Sequence, residues 1–501
     1  MQRLLRNWTS ALPEKEIATN SEAILDKRGS LPYRAWPLHD CQATRLLEID
    51  AARQLPPHTL MEMAGLAVAK LLMAIAPHAR TIWIPCGPGN NGGDGLVAAR
   101  ILREWGKLPV VTCLSNRPPA HPDAVAALDS AVQCDVTFLS EPPAQFDACI
   151  DALFGIGLMR TPDARCADWI ARINQCRGPV LAVDVPSGLD PDTGLTTTPH
   201  VKASVTLSLL SLKPGLFTLD GRDACGDIWF NTLDAHAPSG AGAELNTAPP
   251  TSTRRHNSHK GSYGDVVIVG GAQGMTGAAQ LAASAALHAG AGRVYVVLLD
   301  TADVHKIPVQ PEFMMRDLSD IDLRLMTVVA GCGGGDAITP YLATLLTAAG
   351  KLVLDADALN AIARSPDLHR LTHSRTTGST VMTPHPLEAA RLLGTDTPSV
   401  QANRLDSAHR LAHVFNSTVV LKGSGSIIAA PNRLARINPT GNARLASPGT
   451  GDVLAGLVGA LMAAGEDAFN AACGATFRHG LAADRWTGPE NLTAQSLSAR
   501  L

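Results

Sequence analysis

Short apolar runs alternate with helix-length segments through most of this 501-residue chain. From Cys41 to Ile75 the apolar residues recur at helical spacing on either side of Pro56-Pro57, which predicts two helices. Five strand-like runs follow in the first half of the chain, at residues 81–86, 109–114, 149–154, 180–185 and 204–209. Strands that alternate with helices in this way favour a doubly wound parallel sheet.

A second series of the same kind fills the C-terminal half. Its strand candidates are DVVIVGG, RVYVVLL, MTVVAG, KLVLDAD, TVMTPHP and TVVLKGSGSIIAA. The stretch between the two series is rich in Pro, Gly, Ser and Thr, which is typical of a linker. We therefore predict two α/β domains, over residues 37–237 and 255–501, joined by a linker over residues 238–254. Residues 1–36 show no sustained period and are interpreted as an extension of unknown role.

Composition and charge exclude several classes of partner. The net charge is −3, and no stripe of basic residues interleaved with aromatics occurs, so nucleic acid is not expected to bind. The ten cysteines are scattered singly, which favours buried thiols in a reducing compartment over disulfides or a zinc site. The N-terminus lacks the apolar stretch of a signal peptide, and no run reaches membrane-spanning length. These features predict a cytoplasmic protein without a membrane partner.

The first chemical motif is GPGNNGGDG, at residues 87–95, between the strand TIWIPC and a helical pattern. Glycines let the backbone approach a ligand closely, and free N–H groups at a helix start can hold a phosphate. A tight connection between strand and helix is the alternative. Two asparagines and an aspartate among five glycines are more than a connection needs, so ligand binding is favoured.

Two aspartates lie at or just beyond the C-terminal ends of strands predicted in the same half. Asp151 precedes the glycine-bearing loop 155–161, where its carboxylate could bind a cation, orient a phosphate or accept from loop N–H groups. Asp184 is followed by Pro186-Ser187-Gly188, a sharp turn that would expose its carboxylate beside the Ser187 hydroxyl. An acid/base role and a turn cap are both open for Asp184. Parallel strands present their ligands at this edge of a sheet.

In the C-terminal half, Gly449-Thr450-Gly451-Asp452 leads into the helix pattern VLAGLVGALMAAG. Free N–H groups and the positive end of the helix would form an anion hole here, with Asp452 beside it as a base. An N-capped helix is the alternative. A loop with a lysine follows the strand STVVL, at residues 422–426, and could hold further phosphate oxygens unless it is a plain hairpin turn.

Three further features belong to this half. His385 lies in TPHP, where two prolines fix the loop and should make the imidazole project at a strand end. Glycines at 270, 271, 274 and 277 precede Ala278, and glycines at 331 and 333–335 follow the strand MTVVA. Such glycine-rich strand ends would let a flat substrate lie against the backbone.

The N-terminal motifs, in the order LMEMAG, GPGNNGGDG, DALFGIG and VDVPSGLD, closely resemble those of NAD(P)H-hydrate epimerase domains over residues 38–235. The resemblance implies a Rossmann-like fold that interconverts the R and S epimers of hydrated NAD(P)H, with Asp184 as acid/base and K⁺ held by Asn91, Asp151 and Ser187. It also implies two dinucleotide-binding segments. Their residues are Asn90, Asn91, Gly92, Gly93 and Asp94, then Gly155, Ile156, Gly157, Leu158, Met159, Arg160 and Thr161.

The C-terminal set resembles the ribokinase-like superfamily, and within it the ADP-dependent NAD(P)H-hydrate dehydratases, from His256 to the end of the chain. These domains are often fused behind the epimerase domain, and the order here is the same. By resemblance the adenine nucleotide would contact Lys422, Gly423, Ser424, Gly425, Ser426 and Gly451. The hydrate site would be lined by Ala278, Gly333, His385 and Asp452. Leu387 and Pro448 depart from the family pattern and put the geometry of their loops in question.

Together the two resemblances imply repair of hydrated NAD(P)H: epimerisation, then ADP-dependent dehydration of the S form to NAD(P)H, AMP and phosphate. The implied ligands are the hydrate, ADP, K⁺ and, as a further candidate, Mg²⁺, in a homo-oligomer. A small-molecule kinase acting on a vitamin precursor is the alternative for the second domain, since an anion hole and an aspartate serve both reactions. A nucleotide-binding module without catalysis is the alternative for the first.

Overall fold

A computed structural model describes residues 22–25, 35–115, 118–157, 161–235, 240–250, 255–300 and 310–501 of the chain. Its strands are β1 (Glu22–Leu25), β2 (Pro37–Leu38), β3 (Thr81–Cys86), β4 (Leu108–Cys113), β5 (Thr137–Leu139), β6 (Ala148–Asp151), β7 (Val180–Val183), β8 (Val205–Leu209), β9 (Asp227–Asn231), β10 (Ala243–Leu245), β11 (Asp265–Gly270), β12 (Arg293–Leu298), β13 (Met314–Met315), β14 (Thr327–Ala330), β15 (Lys351–Leu354), β16 (Thr380–Met382), β17 (Thr418–Leu421), β18 (Ile427–Ala429) and β19 (Ala435–Ile437).

Its α-helices are α1 (Cys41–Gln54), α2 (Thr59–Ile75), α3 (Asn90–Glu104), α4 (Pro122–Gln133), α5 (Ala164–Asn174), α6 (Gly221–Ala224), α7 (Thr276–His288), α8 (Thr339–Ala348), α9 (Asp357–Arg364), α10 (Pro366–His373), α11 (Pro386–Leu393), α12 (Thr397–Ala402), α13 (Arg404–Val414), α14 (Thr450–Ala463), α15 (Ala468–Asp484) and α16 (Ala494–Ser498). Within the described ranges no single helix is long and apolar enough to cross a membrane. By length and composition alone, α1 and α2 pass that test as a pair bent by 112°.

The first sheet has the strand order β1-β9-β8-β7-β6-β3-β4-β5. Strands β3 to β9 run parallel, and only β1 at the edge is antiparallel. Strand β3 lies between β4 and β6. From β3 the chain adds β4 and β5 on one side of the sheet and then β6 to β9 on the other, so the strand order reverses between β3 and β6. Ligands of doubly wound sheets bind at such a switch point, and the loops of residues 87–95 and 152–157 lie there.

The second sheet has the order β13-β12-β11-β14-β15-β16-β17-β18-β19-β10-β2. It is parallel from β13 to β17 and antiparallel from β17 to β19. Its switch point lies between β11 and β14, where the two predicted glycine-rich strand ends meet: Gly271 N donates to Cys332 O at 3.0 Å, and Ala272 N to Gly333 O at 2.7 Å. The prediction of two α/β folds with parallel sheets is confirmed.

Two stretches of the chain contain strands that the apolar pattern did not show. The run TVVLKGSGSIIAA is two antiparallel strands, because Gly423 and Gly425 have φ values of +141° and +65° and reverse the chain. The segment predicted as a linker contains β10, which pairs with β19 in the second sheet. Ala243 and Leu245 are buried on either side of the half-buried Glu244, and three residues are too few for this alternation to show as a period.

The largest hydrophobic core draws on both halves of the chain. Leu216 and Phe217, which follow the first sheet's strand β8, are fully buried in the same cluster as Leu421 and Ile427 of the second sheet. Strand β2, from the start of the predicted first domain, pairs with β10 at the edge of the second sheet. The two sheets therefore pack as one body around a shared core.

Candidate functional sites

The first site lies at the start of α3, in the motif GPGNNGGDG. Asn90 is the first helical residue, and its Nδ2 donates to Glu48 Oε1 at 2.8 Å. Asn91, Gly92 and Gly93 are buried within the first turn. Burial, with Glu48 and Asp184 nearby, raises the pKa of Asp94 well above its usual range. The motif thus forms a helix N-terminus that is closed in by carboxyl groups.

Asp151 and Ser187 form a buried pair behind this helix. Asp151 Oδ1 accepts from Ser187 Oγ at 2.7 Å, and Oδ2 accepts from Ser187 N at 2.8 Å. Burial raises the pKa of Asp151 to about 6. The side-chain oxygen and nitrogen of Asn91 are buried without a hydrogen-bond partner, and a Cβ atom on Gly155 would lie 3.3 Å from Asn91 Cγ. An orphaned buried amide beside a carboxylate and a hydroxyl fits an oxygen-ligated cation.

Asp184 follows strand β7 in a left-handed conformation, with φ of +67°. Such conformations are uncommon outside glycine and concentrate at functional sites. Its Oδ1 accepts from Leu209 N at 3.0 Å and forms an ion pair with the ammonium of Lys213, whose side chain is fully buried. Lys213 also donates to Leu209 O at 2.8 Å. The Asp184 carboxylate is therefore held in one orientation by a buried cation.

The loop after β6 borders a cavity of about 230 Å³. Gly155, Ile156 and Gly157 line it together with Arg45, whose Nη2 donates to the carbonyls of Ile156 and Gly157 at 3.3 and 3.1 Å. Thr161 is exposed at the end of the loop. Leu158, Met159 and Arg160, for which the resemblance implies contact with the dinucleotide, lie outside the described residues.

The second site is built around the start of α14. Gly449 precedes the helix with φ of +85°, and a Cβ atom there would lie 2.5 Å from Leu281 Cδ1, so glycine is required. The first backbone hydrogen bond of the helix runs from Val453 N to Gly449 O. The amides of Gly451 and Asp452 precede that bond, so they have no acceptor within the helix. Fully buried His479 donates from Nε2 to Thr450 O at 2.9 Å. Burial lowers its pKa to about 4, which keeps the imidazole neutral.

Three titratable groups from different strand ends, Cys332, Asp355 and Lys422, surround Asp452 at this helix start. Lys422 Nζ, after β17, donates to Oδ1 of buried Asp355, after β15, at 2.7 Å. Ligand atoms of Asp355, Asp452 and Cys332 lie within 4.8 Å of one another. Burial and the charge of Asp355 raise the pKa of Asp452 to about 7, against the opposing effects of the Cys332 thiol and Lys422. Asp452 therefore exchanges its proton near neutral pH.

The remaining predicted residues of this half surround the same cluster. A Cβ atom on Gly451 would lie 3.3 Å from Lys422 Nζ, so the missing side chain opens this point. Gly333 has φ of +58° and packs against Ala278. A Cβ atom added to Gly333 would lie 2.8 Å from the Ala278 Cβ. Ser426 Oγ donates to Gly423 O at 3.3 Å within the loop that begins at Lys422. The chain thus brings these predicted nucleotide and hydrate contacts to one edge of the second sheet.

His385 has a local task that its predicted role did not include. Its Nδ1 accepts from Leu387 N and Glu388 N at 3.2 and 3.3 Å, which caps α11, and Nε2 faces Glu388 Oε1 at 3.2 Å. Burial and Lys422 lower the pKa of His385. Leu387 and Pro448, the two departures from the family pattern, are exposed. His385 as a hydrate contact stays a prediction, now with a fixed tautomer whose proton is on Nε2.

Sequence reasoning missed three residues of these sites: Lys213, Cys332 and Asp355. Asp355 carries a usable signal, because it directly follows a strand in KLVLDAD, at the same kind of strand end as Asp151, the last residue of β6. Lys213 carries none, since nothing in its local sequence indicates burial against a residue 29 positions earlier. A further cavity of about 640 Å³ lies beside the second site, between Gly335, Asp357 and the arginines Arg364 and Arg391.

Comparisons with known proteins match both halves of the chain. Residues 57–215 match the family model described as YjeF-related protein N-terminus, and residues 266–501 match that of NAD(P)H-hydrate dehydratase. The bifunctional NAD(P)H-hydrate repair enzyme Nnr of Escherichia coli K12 is 34% identical over 91% of this chain and 90% of its own length. The enzyme of that name from Coxiella burnetii is 35% identical over 85% and 90%.

A solved structure of an ADP/ATP-dependent NAD(P)H-hydrate dehydratase from Bacillus subtilis, co-crystallised with ATP and Mg²⁺, aligns with 49% of this chain and 90% of its own, at 31% identity and a TM-score of 0.44. Because the full-length relatives match across both halves, and the two family models lie in the corresponding order, the chain belongs to the bifunctional NAD(P)H-hydrate repair enzymes, with an epimerase domain followed by a dehydratase domain.

Proposed function

We propose that Asp452 is the base of the dehydratase reaction and that ADP is the phosphoryl donor. Asp452 takes the proton from the ring hydroxyl of the S hydrate as that oxygen attacks the terminal phosphorus of ADP, and AMP leaves. The C–O bond then breaks to release phosphate, and loss of a proton from the neighbouring ring carbon yields NAD(P)H. Phosphorylation is needed because hydroxide is a poor leaving group.

The observation that carries this proposal is a carboxyl group with a pKa of about 7 at a helix N-terminus, near a partly buried lysine. A base works best when its pKa lies near the working pH. The amides of Gly451 and Asp452 and the ammonium of Lys422 would stabilise negative charge on the transferring phosphoryl group. The neutral His479 holds the Thr450 carbonyl without adding charge to the site.

Mg²⁺ fits this site in part. The carboxylate of Asp355 offers the oxygen ligands that a hard cation prefers, whereas the Cys332 thiol does not, and Asp452 has to stay free of the ion to act as the base. When bound with the nucleotide, Mg²⁺ would neutralise charge on the phosphates. The Bacillus subtilis dehydratase was co-crystallised with ATP and Mg²⁺, the same pairing of a nucleotide with this ion.

In the epimerase domain we assign the acid/base role to Asp184. Inversion of the hydroxyl-bearing carbon can proceed through a planar intermediate, in which the hydroxyl is protonated, leaves as water and returns from the other face with loss of a proton. It can also proceed through a ring-opened aldehyde, in which the hydroxyl loses its proton and regains one on closure. Asp184 is set by its left-handed backbone and by Lys213 to perform both transfers. Residues 90–94 and the loop 155–161 would hold the dinucleotide over it.

The test of the whole proposal is one incubation series. Full-length protein is mixed with both hydrate epimers, with ADP, ATP or no nucleotide, and NAD(P)H absorbance and AMP are followed. ADP should drive complete recovery of NAD(P)H with equimolar AMP and phosphate. A stable phosphorylated product, with no NAD(P)H formed, would instead identify the second domain as a small-molecule kinase.

Potassium is expected to bind the epimerase domain at Asn91, Asp151 and Ser187. At ten times its dissociation constant it should stabilise the protein by about 1.4 kcal/mol. Replacing Asn91 by Leu, which fills the space without an oxygen, should abolish this rise in thermal stability together with any K⁺ stimulation of epimerisation. Asn174→Leu, at an exposed amide of the same domain, is the matched control. Equal stabilisation of Asn91→Leu and the unchanged protein by KCl over LiCl would exclude this site.

The Cys332 thiol is expected to set the pH dependence of dehydration. Because Asp452 acts when ionised, the rate should rise as the pH passes its pKa of about 7. The hydrogen bond from Cys332 lowers that pKa, so Cys332→Ala should move the rise to higher pH and retain the rate at the alkaline plateau. Cys473→Ala, at another buried cysteine, controls for lost packing. An unmoved pH profile in Cys332→Ala would contradict Asp452 as the titrating base.

A further inference from the structure

We propose that the epimerase domain is part of the nucleotide site of the dehydratase domain, with Thr218 and Arg222 as positioning residues that reach across the domain boundary. The inference rests on the proposed nucleotide role of residues 422–426. No nucleotide is assumed to touch Thr218 or Arg222. They act by fixing the two loops that lead to the phosphate-binding end of the site.

The first loop is the one that contains Ser424. The Ser424 carbonyl accepts from Leu219 N and from Thr218 Oγ1, both at 3.1 Å, and the Ser424 hydroxyl donates to Leu219 O at 2.9 Å. Gly425 lies so close that a Cβ atom there would be 2.0 Å from Phe217 O. Three hydrogen bonds and a backbone contact therefore join a segment of the first domain to the middle of the predicted nucleotide loop.

This loop needs an outside support. Gly423 and Gly425 both have positive φ, and glycine has the largest choice of backbone conformations when nothing restrains it. Arg404 of the dehydratase domain donates to the carbonyls of Leu421, Lys422 and Gly425, which restrains the two ends of the loop. The first domain restrains its centre at Ser424. Lys422, two residues away, carries the ammonium that pairs with Asp355.

The second loop, residues 439–442, is held from both sides. Arg222 Nη2, from the first domain, donates to Pro439 O at 2.9 Å and to Gly441 O at 2.7 Å. Asp484 of the second domain takes the complementary donors, Gly441 N and Asn442 Nδ2, at 2.8 Å each. Burial lowers the pKa of Arg222, yet its charge is stabilised by Asp484. A cation and an anion from opposite domains thus fix one loop.

Both loops connect directly to the reacting groups. Asn438 N donates to Ser426 O at 2.8 Å, which joins the second loop to the first. The second loop continues into Leu445, whose carbonyl accepts from Thr450 Oγ1 at 2.8 Å at the start of α14. Displacement of either loop would therefore be passed to Lys422 or to the helix start that carries the anion hole, while Ala278, Gly333 and His385 on the hydrate side have supports of their own.

The test uses the full-length protein with Arg222→Ala and the near-isosteric Thr218→Val. Each should weaken ADP binding, measured by titration calorimetry with ADP alone, by about 10-fold for Arg222→Ala and about 3-fold for Thr218→Val, because ADP binding must then also order the loop that the first domain no longer holds. The KM for ADP should rise in parallel, whereas the KM for the hydrate and the epimerase rate should not change. Arg172→Ala is the control, since Arg172 Nη2 also donates to two carbonyls, of Pro143 and Ala144, within the first domain.

Unchanged ADP affinity in both variants would overturn the inference. So would an equal rise of the KM values for ADP and hydrate, which would indicate general damage to the domain. If Arg222→Ala fails to fold, as judged by loss of epimerisation, Thr218→Val alone decides. Because ADP binding is measured without turnover, this outcome is independent of whether unaltered protein converts hydrate to NAD(P)H, and failure of that conversion would count against the proposed function instead.

Discussion

Asp452→Asn is expected to lower the rate of ADP-dependent dehydration by about 10²- to 10⁴-fold, the usual contribution of a positioned general base. The amide keeps the size of the carboxyl group but cannot take the hydroxyl proton. ADP affinity should fall little or rise, because the substitution removes a negative charge next to the phosphates. The measurement is single-turnover formation of NAD(P)H and AMP from S hydrate, with ADP binding measured separately.

Asp406→Asn offers a matched control for Asp452→Asn. Asp406 is likewise the third residue of a helix, but it lies exposed at the start of α13, so any effect of a helix-terminal charge is reproduced without the site. Dehydration should proceed normally in this control. Full activity in Asp452→Asn would show that Asp452 is not the base. Asp355 and Glu388 would then be the next candidates, and burial raises the pKa of Glu388 to about 7.

Asp184→Asn is expected to lower the epimerase rate by a similar factor of about 10²–10⁴. It should also destabilise the protein, since a buried ion pair that loses one partner costs about 3–5 kcal/mol. The fully buried Lys213 would be that uncompensated charge. Stability and catalysis are separated by the double variant Asp184→Asn/Lys213→Met, which removes both charges: its thermal stability should recover, while its epimerase rate should stay low.

The readout for Asp184→Asn is the interconversion of a pure hydrate epimer, with Asp163→Asn as control. Asp163 caps α5 through its side chain, and asparagine caps a helix equally well. Dehydration of S hydrate should be retained in Asp184→Asn, so ADP-dependent recovery from mixed epimers would stop once the S form is consumed. Rapid epimerisation by the double variant would show that Asp184 serves only to neutralise Lys213.

The positions of the candidate sites are visible in the sequence because the residues proposed for them lie at strand ends. Asp184 and Asp452 stand in recognisable local patterns, a strand followed by a sharp turn and a glycine turn followed by a helix. Lys213 and Cys332 could not be found in this way, since their roles arise from contacts across the sheet: Lys213 meets Asp184 through neighbouring strands β7 and β8. The pKa of Asp452 is likewise a property of burial and of Asp355, and no sequence pattern reports it.

For the domain organisation, too, the longer strands could be predicted from local patterns, whereas the short strands could not. Apolar periodicity predicted two α/β series, and the sheets follow it from β3 to β8 and from β11 to β17, except that the short strands β5 and β13 were not predicted. Strands β2 and β10, with two and three residues, are too short to produce a period. They form only because a long sheet is already present to pair with them. The assigned limits of the two domains and the linker therefore stay predictions.

Strands β10 and β2 decide how this chain can be divided. A fragment that begins at residue 255 would lose both, and β19 would become the border of the sheet with unpaired backbone groups over Ala435–Ile437. Exposed edge strands with unpaired backbone groups tend to pair with strands of other molecules. A fragment of residues 1–240 would carry the opposite defect, because Leu216 and Phe217 would face water instead of Leu421 and Ile427. The two halves of the chain therefore depend on each other for stability, because each covers backbone or apolar groups that the other would expose to water.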